Sequence, residues 1–180
     1  LIKSIKYFDL IISPKKELFK DLLNKGASNI LFIENFYIKR FHYLLKTPKI
    51  IKISFVGSWS EKREKIINRI AEKHQVYVFG NSWKRKNNNP NIIKHNEIDQ
   101  IEYVKIINSS LINLNFLTDE NRDTSNLRFF EVSACKGLLL NEYSDRFSNI
   151  LLPEIDTFYF NNINEIIDVV DRIINLKDIQ

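Results

Sequence analysis

The segment Arg122–Glu142, RDTSNLRFFEVSACKGLLLNE, holds the densest chemistry in this 180-residue chain. Its pattern predicts a polar loop, a helix, and a glycine turn into an apolar strand. Glu131 falls inside that helix among Phe129, Phe130, Val132, Ala134 and Cys135, all core-type residues. A carboxylate is rarely buried unless it is paired or holds a ligand. Asp123 stands eight residues earlier, in the loop. Thr124, Ser125 or Asn126 is placed to cap the helix and leave backbone N–H groups facing that loop. Arg128, in the first turn, has the planar fork that clamps a phosphate or carboxylate through two hydrogen bonds. Arg128 and Glu131 also sit three apart on one face, so an internal ion pair is the plain structural alternative.

Two further stretches end a strand in glycine. In ISFVGSWSEKRE, residues 53–64, Gly57-Ser58 precede a helix with Arg63 in its first turn. Glycine lets a backbone approach a ligand closely, and a helix start offers N–H groups and a positive dipole end. A phosphate would be held there and Arg63 would pair with it, although Ser60 and Arg63 also fit an ordinary cap and surface arginine. The stretch has neither GxxxxGK[ST] nor GxGxxG. In YVFGNSWKRK, residues 77–86, Gly80 precedes Trp83 and three cations, which suits base stacking or equally a solvated loop. Trp83 reads more simply as a packing residue.

Other chemistries fail on inventory. His42, His74 and His95 lack ligand spacing, so no metal site is expected, and no DxD motif is present to hold a metal-bound nucleotide sugar. There is no GxSxG elbow, and Cys135 has no base beside it in sequence, so no nucleophile is apparent. His95, just after a strand, reads as an exposed loop histidine.

These residues need a scaffold, and short apolar runs alternating with amphipathic stretches supply one. Strands are expected at Phe8–Ile12, Asn29–Ile33, Ile50–Val56, Val76–Phe79, Ile92–Lys94, Leu111–Phe116, Gly137–Leu140 and Thr157–Phe160. Helices are expected near 15–25, 60–73, 99–109, 125–136, 144–150 and 162–176. In the last, Ile163, Ile166, Ile167, Val170, Ile173 and Ile174 follow the 3.6-residue period. The fold class is α/β, a Rossmann-like parallel sheet with helices on both faces. Ligands of such sheets bind beyond the carboxyl ends of the strands, where the strand order reverses. Residues 1–46, with two strands, one helix and the aromatic connector Phe36–Tyr43, read as the tail of a preceding domain plus a linker. Residues 47–180 read as a complete second domain.

Charge divides along the same line. Residues 1–90 carry a net +12 and residues 91–180 a net −7, giving +5 for the whole chain. A basic half suits phosphates, nucleic acid or an anionic membrane surface, but a solvated face explains Lys62, Lys65 and Lys73 as simply. One cysteine excludes a disulfide framework, and the absence of a long apolar run argues against a membrane span, so a cytoplasmic setting is expected. The 28 Ile and 21 Asn fit the bias of an AT-rich genome, which accounts for the Asn87–Asn89 run without function. A start at Leu1 and no methionine suggest a piece of a longer chain.

The blocks ISFVGS, VYVFGNSW, EYVKIINSSLINLNFLT and LRFFEVSACKGLLLNE, followed by a helical run, resemble the group 1 glycosyltransferases of the spore-maturation-protein type. FDLIIS and NKGASNILFIENFY resemble the lead-in from the preceding domain of such enzymes. The resemblance covers roughly residues 50–176. It implies a GT-B architecture, in which two Rossmann-like domains flank a cleft and the C-terminal one binds a nucleotide sugar.

By that resemblance, Glu131 falls where relatives hold a carboxylate on the ribose hydroxyls. Asp123 falls where an EX7E pattern has its first acid, near the donor sugar; Asp replaces Glu there. Arg63 and Arg128 would oppose charge on the departing diphosphate, with backbone donors from Gly57 and Ser58. Lys136 interrupts the usual small-residue–glycine turn, and Gly137 follows it. The implied reaction moves a sugar from a nucleotide donor to an acceptor hydroxyl without metal or cofactor, the nucleotide sugar being substrate. Implied partners are an acceptor glycan, protein or lipid-linked sugar, an N-terminal domain in cis, and peripheral membrane contact. A non-catalytic nucleotide or sugar-phosphate binding module and a GT-B-type epimerase are the alternatives. Nucleic-acid binding is not expected, because no recognised motif or aromatic–basic platform of that kind is present.

Overall fold

A computed structural model describes residues 2–83, 89–118 and 124–176. Among the described residues are eight strands and six α-helices: β1 Ile11–Ser13, α1 Phe19–Asn24, β2 Ile30–Phe32, β3 Ile51–Val56, α2 Glu61–Ala71, β4 Val76–Phe79, β5 Ile92–His95, α3 Gln100–Ser109, β6 Ser110–Asn115, α4 Leu127–Ala134, β7 Leu139–Glu142, α5 Asp145–Ser148, β8 Phe158–Phe160 and α6 Ile166–Asn175. Each expected strand and helix is present. The first strand lies a few residues later than expected, and a 3₁₀ turn at Ile2–Tyr7 was not anticipated.

Six strands form one sheet in the order β5-β4-β3-β6-β7-β8, with every neighbouring pair parallel. Counted within this sheet the order is 3-2-1-4-5-6, the doubly wound Rossmann arrangement. The order reverses between β3 and β6, so their carboxyl ends open a crevice between Gly57-Ser58 and Phe116–Thr118.

Both faces are covered, which is why the strands are near-continuous apolar runs. On one face Ile53, Phe55, Ile112 and Leu114 pack against Ile66, Ile67 and Ile70 of α2 and Val170 and Ile173 of α6. On the other, Tyr103, Val104 and Ile107 of α3 meet Phe129 and Val132 of α4 and Cys135 just after it, with Leu139 and Phe147. Gly137 permits that second layer. A Cβ there would lie 2.8 Å from Ile107 Cγ2 and 2.9 Å from Val132 Cγ1. The turn before it is made by Lys136, which takes the left-handed conformation at φ 56°.

Polar side chains also cross the sheet. Asn115 Nδ2 donates to Asn141 Oδ1 at 3.0 Å, and Asn141 Nδ2 donates to Thr157 Oγ1 at 3.2 Å. Asn126 Nδ2, from the cap of α4, donates to Asn115 Oδ1 at 3.0 Å. Asn115 and Asn141 are almost wholly buried, so this row ties β6, β7, β8 and α4 together inside the core.

Strands β1 and β2 form a separate parallel pair. Arg146 of α5 grips the segment after β2, its Nη2 lying 2.7 Å from both carboxylate oxygens of Glu34. Asn35 Nδ2 donates to Ser125 Oγ at 3.0 Å, and Leu45 N donates to Asn108 Oδ1 at 2.8 Å. Among the described residues no helix is long and apolar enough to cross a membrane.

Candidate donor site at the strand reversal

The floor of the crevice is main chain. Gly57 N–H donates to Phe79 O at 2.8 Å, and Gly57 O accepts from the indole N–H of Trp83 at 2.8 Å. Gly80 lies against it at φ 151°; a Cβ there would stand 2.3 Å from Gly57 O. Only glycine fits that close approach. Trp83 is therefore a buried packing residue that also pins the floor. Gly57 spends its N–H on β4, so of the two backbone donors expected from Gly57-Ser58 only the exposed Ser58 N–H has no protein acceptor among the described residues.

Arg63 spans the crevice. Its Nη1 donates to Ser58 O at 2.9 Å and its Nη2 to Thr118 Oγ1 at 3.2 Å, joining the loops after β3 and β6. The start of α2 is less inviting to an anion than expected. Ser60 Oγ accepts from Arg63 N, and Glu61 and Glu64 occupy the first turn. Beside it, Lys62 pairs with Glu142 at 2.6 Å, while Glu142 Oε2 accepts from Leu117 N at 2.9 Å.

Arg128 approaches from the opposite wall. Asn126 caps α4 by accepting from Phe129 N, which places Arg128 in the first turn. The guanidinium Nη1 lies 3.5 Å from where a Gly57 Cβ would stand. Among the described residues its Nε is buried with no hydrogen-bond partner, and its Cζ sits 5.5 Å from the centroid of the Tyr103 ring. A guanidinium nitrogen left this way costs stability unless something outside the chain answers it.

Glu131 is not paired with Arg128. Its Oε2 accepts from Tyr103 OH at 3.0 Å, and its Oε1 lies 3.6 Å from His42 Nε2. The Glu131 side chain is 18% exposed. Burial, and then the Glu131 charge beside it, push the Tyr103 hydroxyl far above its ordinary pKa, so it stays protonated and donates. Burial also raises the Cys135 thiol to about 11, which removes it as a nucleophile at neutral pH.

Gly57, Ser58, Arg63 and Arg128 are thus brought together at the strand reversal, with Glu131 joined to Arg128 through the Tyr103 ring. Asp123 lies outside the described residues, as do Lys84–Lys86. Thr118, Tyr103 and His42 were not anticipated. Tyr103 carried one signal, its position in an apolar helical stretch facing the Glu131 helix. Among the described residues no three His, Cys, Asp or Glu side chains gather to hold a metal.

A family model described as glycosyl transferase-like matches residues 61–178. No curated protein matches the sequence. Solved structures match almost the whole chain. Anabaena HepE in complex with UDP and glucose superposes with a TM-score of 0.71 at 8% identity, over 98% of this chain and 56% of that one. A TarM mutant of S. aureus, in complex with fondaparinux, α-GlcNAc-glycerol and UDP, gives 0.67 at 16% identity, over 99% and 39%. A T4 phage BGT mutant in complex with UDP-glucose gives 0.67 at 18% identity, over 94% and 53%. At these identities the likeness establishes the fold. This chain spans between 39% and 56% of the length of those proteins.

Proposed function

This chain belongs to the glycosyl transferase-like family, and we propose that it is the donor-binding half of a glycosyltransferase that moves a sugar from a nucleotide sugar to an acceptor hydroxyl. The observation that carries this reading is the convergence of Arg63 and Arg128 on Gly57-Ser58 at the strand reversal, with the Arg128 Nε buried and unanswered. The HepE and T4 structures, bound to UDP with glucose and to UDP-glucose, support a nucleotide sugar as ligand.

The chemistry follows from charge. As the bond from sugar to diphosphate breaks, negative charge builds on the leaving phosphate. Fixed cations in a sheltered crevice stabilise that charge more than the ground state, which is how they accelerate the step. Arg128, with its Nη1 beside Gly57, is the cation we assign to one phosphate group. Arg63, already bracing both loops, adds positive potential from the other wall, and Ser58 N–H adds a donor. Glu131 accepts from the ribose hydroxyls through charge-assisted hydrogen bonds. Asp123, which the resemblance aligns with the first acid of the EX7E pattern, is the candidate catalytic residue, and we place the acceptor-activating base in an N-terminal domain. No metal is required in this scheme, since the arginines take its role at the leaving group.

Residues 1–46 fit the tail of that acceptor-side domain, and residues 47–180 the donor domain. The spore-maturation-protein type remains our subfamily reading. The connector after β2 carries Phe36, Tyr37, Ile38, Phe41 and Leu44 exposed beside Lys39 and Arg40, which suits peripheral contact with an anionic membrane bearing a lipid-linked acceptor.

A thermal-shift panel of UDP, GDP, ADP and their sugar conjugates, with and without EDTA, tests the site on wild type and Glu131→Ala. A ligand at 100 times its Kd adds about 2.7 kcal/mol. A shift from one nucleotide, unchanged by EDTA and lost in Glu131→Ala, is expected. No shift from any of them defeats the donor-site reading.

A further inference from the structure

We infer that His42 and Tyr103 are positioning residues for Glu131, holding its carboxylate so that both oxygens keep an acceptor position for a vicinal diol. The inference rests on the donor-site reading above and names what that site requires from outside its own helix.

An ionised carboxylate offers about four acceptor positions. Tyr103 OH takes one on Oε2 at 3.0 Å. On the other oxygen, His42 Nε2 stands 3.6 Å away. The ring's other nitrogen decides what Nε2 carries. Ile38 N–H donates to His42 Nδ1 at 3.1 Å, so in the neutral ring the proton sits on Nε2, facing Glu131 Oε1. The amide nitrogen of Gln100 lies 3.0 Å from the same Nε2; with the two ends of that amide exchanged its oxygen accepts the Nε2 proton, and His42 faces Oε1 at 3.6 Å without a hydrogen bond to it. His42 and Tyr103 are both more than nine-tenths buried, with their rings edge to face at 6.4 Å and 84°. They therefore approach Glu131 as one packed unit.

What remains is at least one open acceptor position on each oxygen, in a side chain that keeps some exposure. That pattern matches two adjacent O–H donors, such as the 2′ and 3′ hydroxyls of a ribose. It does not suit a phosphate, which would bring a second anion. Tyr103 also lies under the Arg128 guanidinium, so one phenol ring orients both the cation for the diphosphate and the anion for the sugar.

His42 adds a further link. It belongs to the connector, which is fastened by Leu45 N to Asn108 Oδ1 at 2.8 Å and Asn108 Nδ2 to Tyr43 O at 3.1 Å. The seating of the connector and the aim of Glu131 are therefore one arrangement. Anything that shifts residues 36–46 changes ribose recognition.

The test compares nucleotides with and without the diol. Calorimetry on the chain would measure UDP against 2′,3′-dideoxy-UDP, with the ADP and GDP pairs in parallel, for wild type, Tyr103→Phe and His42→Asn. Wild type should prefer the diol by about tenfold or more. Tyr103→Phe removes one oxygen atom and should cut that preference about fivefold while leaving dideoxy binding within twofold. His42→Asn should act in the same direction. If both variants keep the wild-type preference, or lose affinity equally for both nucleotides, the positioning role is overturned. Nucleotide binding by wild type without any preference, or no binding at all, overturns the donor-site reading and this inference with it. Should His42→Asn fail to fold, the near-isosteric Tyr103→Phe decides alone.

Discussion

Replacing Arg128 by methionine should make the chain more stable and a poorer ligand binder at once. The guanidinium Nε is buried without a partner, and an unsatisfied buried polar group costs about 1–3 kcal/mol. Methionine keeps much of the length and apolar stem while removing that cost. It also forfeits the cation–π contact with Tyr103, worth about 0.5–1 kcal/mol at a partly exposed site. Among the described residues no ion pair is lost, because Glu131 is held by Tyr103 rather than by Arg128. The net gain is therefore about 1 kcal/mol, and for a chain of this length that raises Tm by about 2–4 °C. With nucleotide present the sign reverses. A hydrogen bond to a charged group contributes about 1.5–3 kcal/mol, so Arg128→Met should weaken nucleoside diphosphate binding roughly 10- to 150-fold. Differential scanning fluorimetry with and without 1 mM UDP reads both effects in one experiment. A fall in the ligand-free Tm would refute the unanswered-guanidinium argument. An unchanged ligand-induced shift would refute the phosphate role.

The buried asparagine row makes a second prediction: Asn141→Leu orphans Asn115 Nδ2 in the core, at a cost of about 1–3 kcal/mol and several degrees of Tm, measurable by urea unfolding. A neutral result would mean the row is packing rather than bonding. The Cys135 thiol gives a pH signature. Its folded pKa of about 11 exceeds the free-thiol value of about 8.5, so the unfolded chain releases that proton first. Stability should be flat below pH 8, decline as pH rises through 9 to 11, and decline less in Cys135→Ala; identical slopes for the two proteins would contradict the burial argument.

Much of the scaffold was readable because each element states its own period. Four-residue runs such as VYVF have no polar face, which fits strands covered on both sides, and the isoleucines of α6 repeat at helical spacing. The α4 cap and Arg128 were legible for the same local reason. What escaped reading depends on register between distant strands. Asn113, Asn115 and Asn141 carry no signal of their own in a chain with 21 asparagines, yet parallel pairing sets Asn115 opposite Asn141 inside the core. His42 appeared as an isolated histidine, because only the folded connector brings it to Glu131, 89 residues away along the chain. Arg63 was legible as a crevice residue, but its brace to Thr118 depends on β3 and β6 lying side by side.

The glycine contact beneath the crevice bears on how such a site can change over generations. Gly57 and Gly80 meet through backbone atoms, and the indole of Trp83 grips a carbonyl rather than a side chain. The shape of the floor is therefore indifferent to what stands at Ser58 or along the loop rims. Mutation can explore new side chains there, and with them new ligands, without disturbing the surface on which they are displayed. Tolerance ends at the two glycines and the tryptophan, so the site's capacity for novelty is confined to its walls.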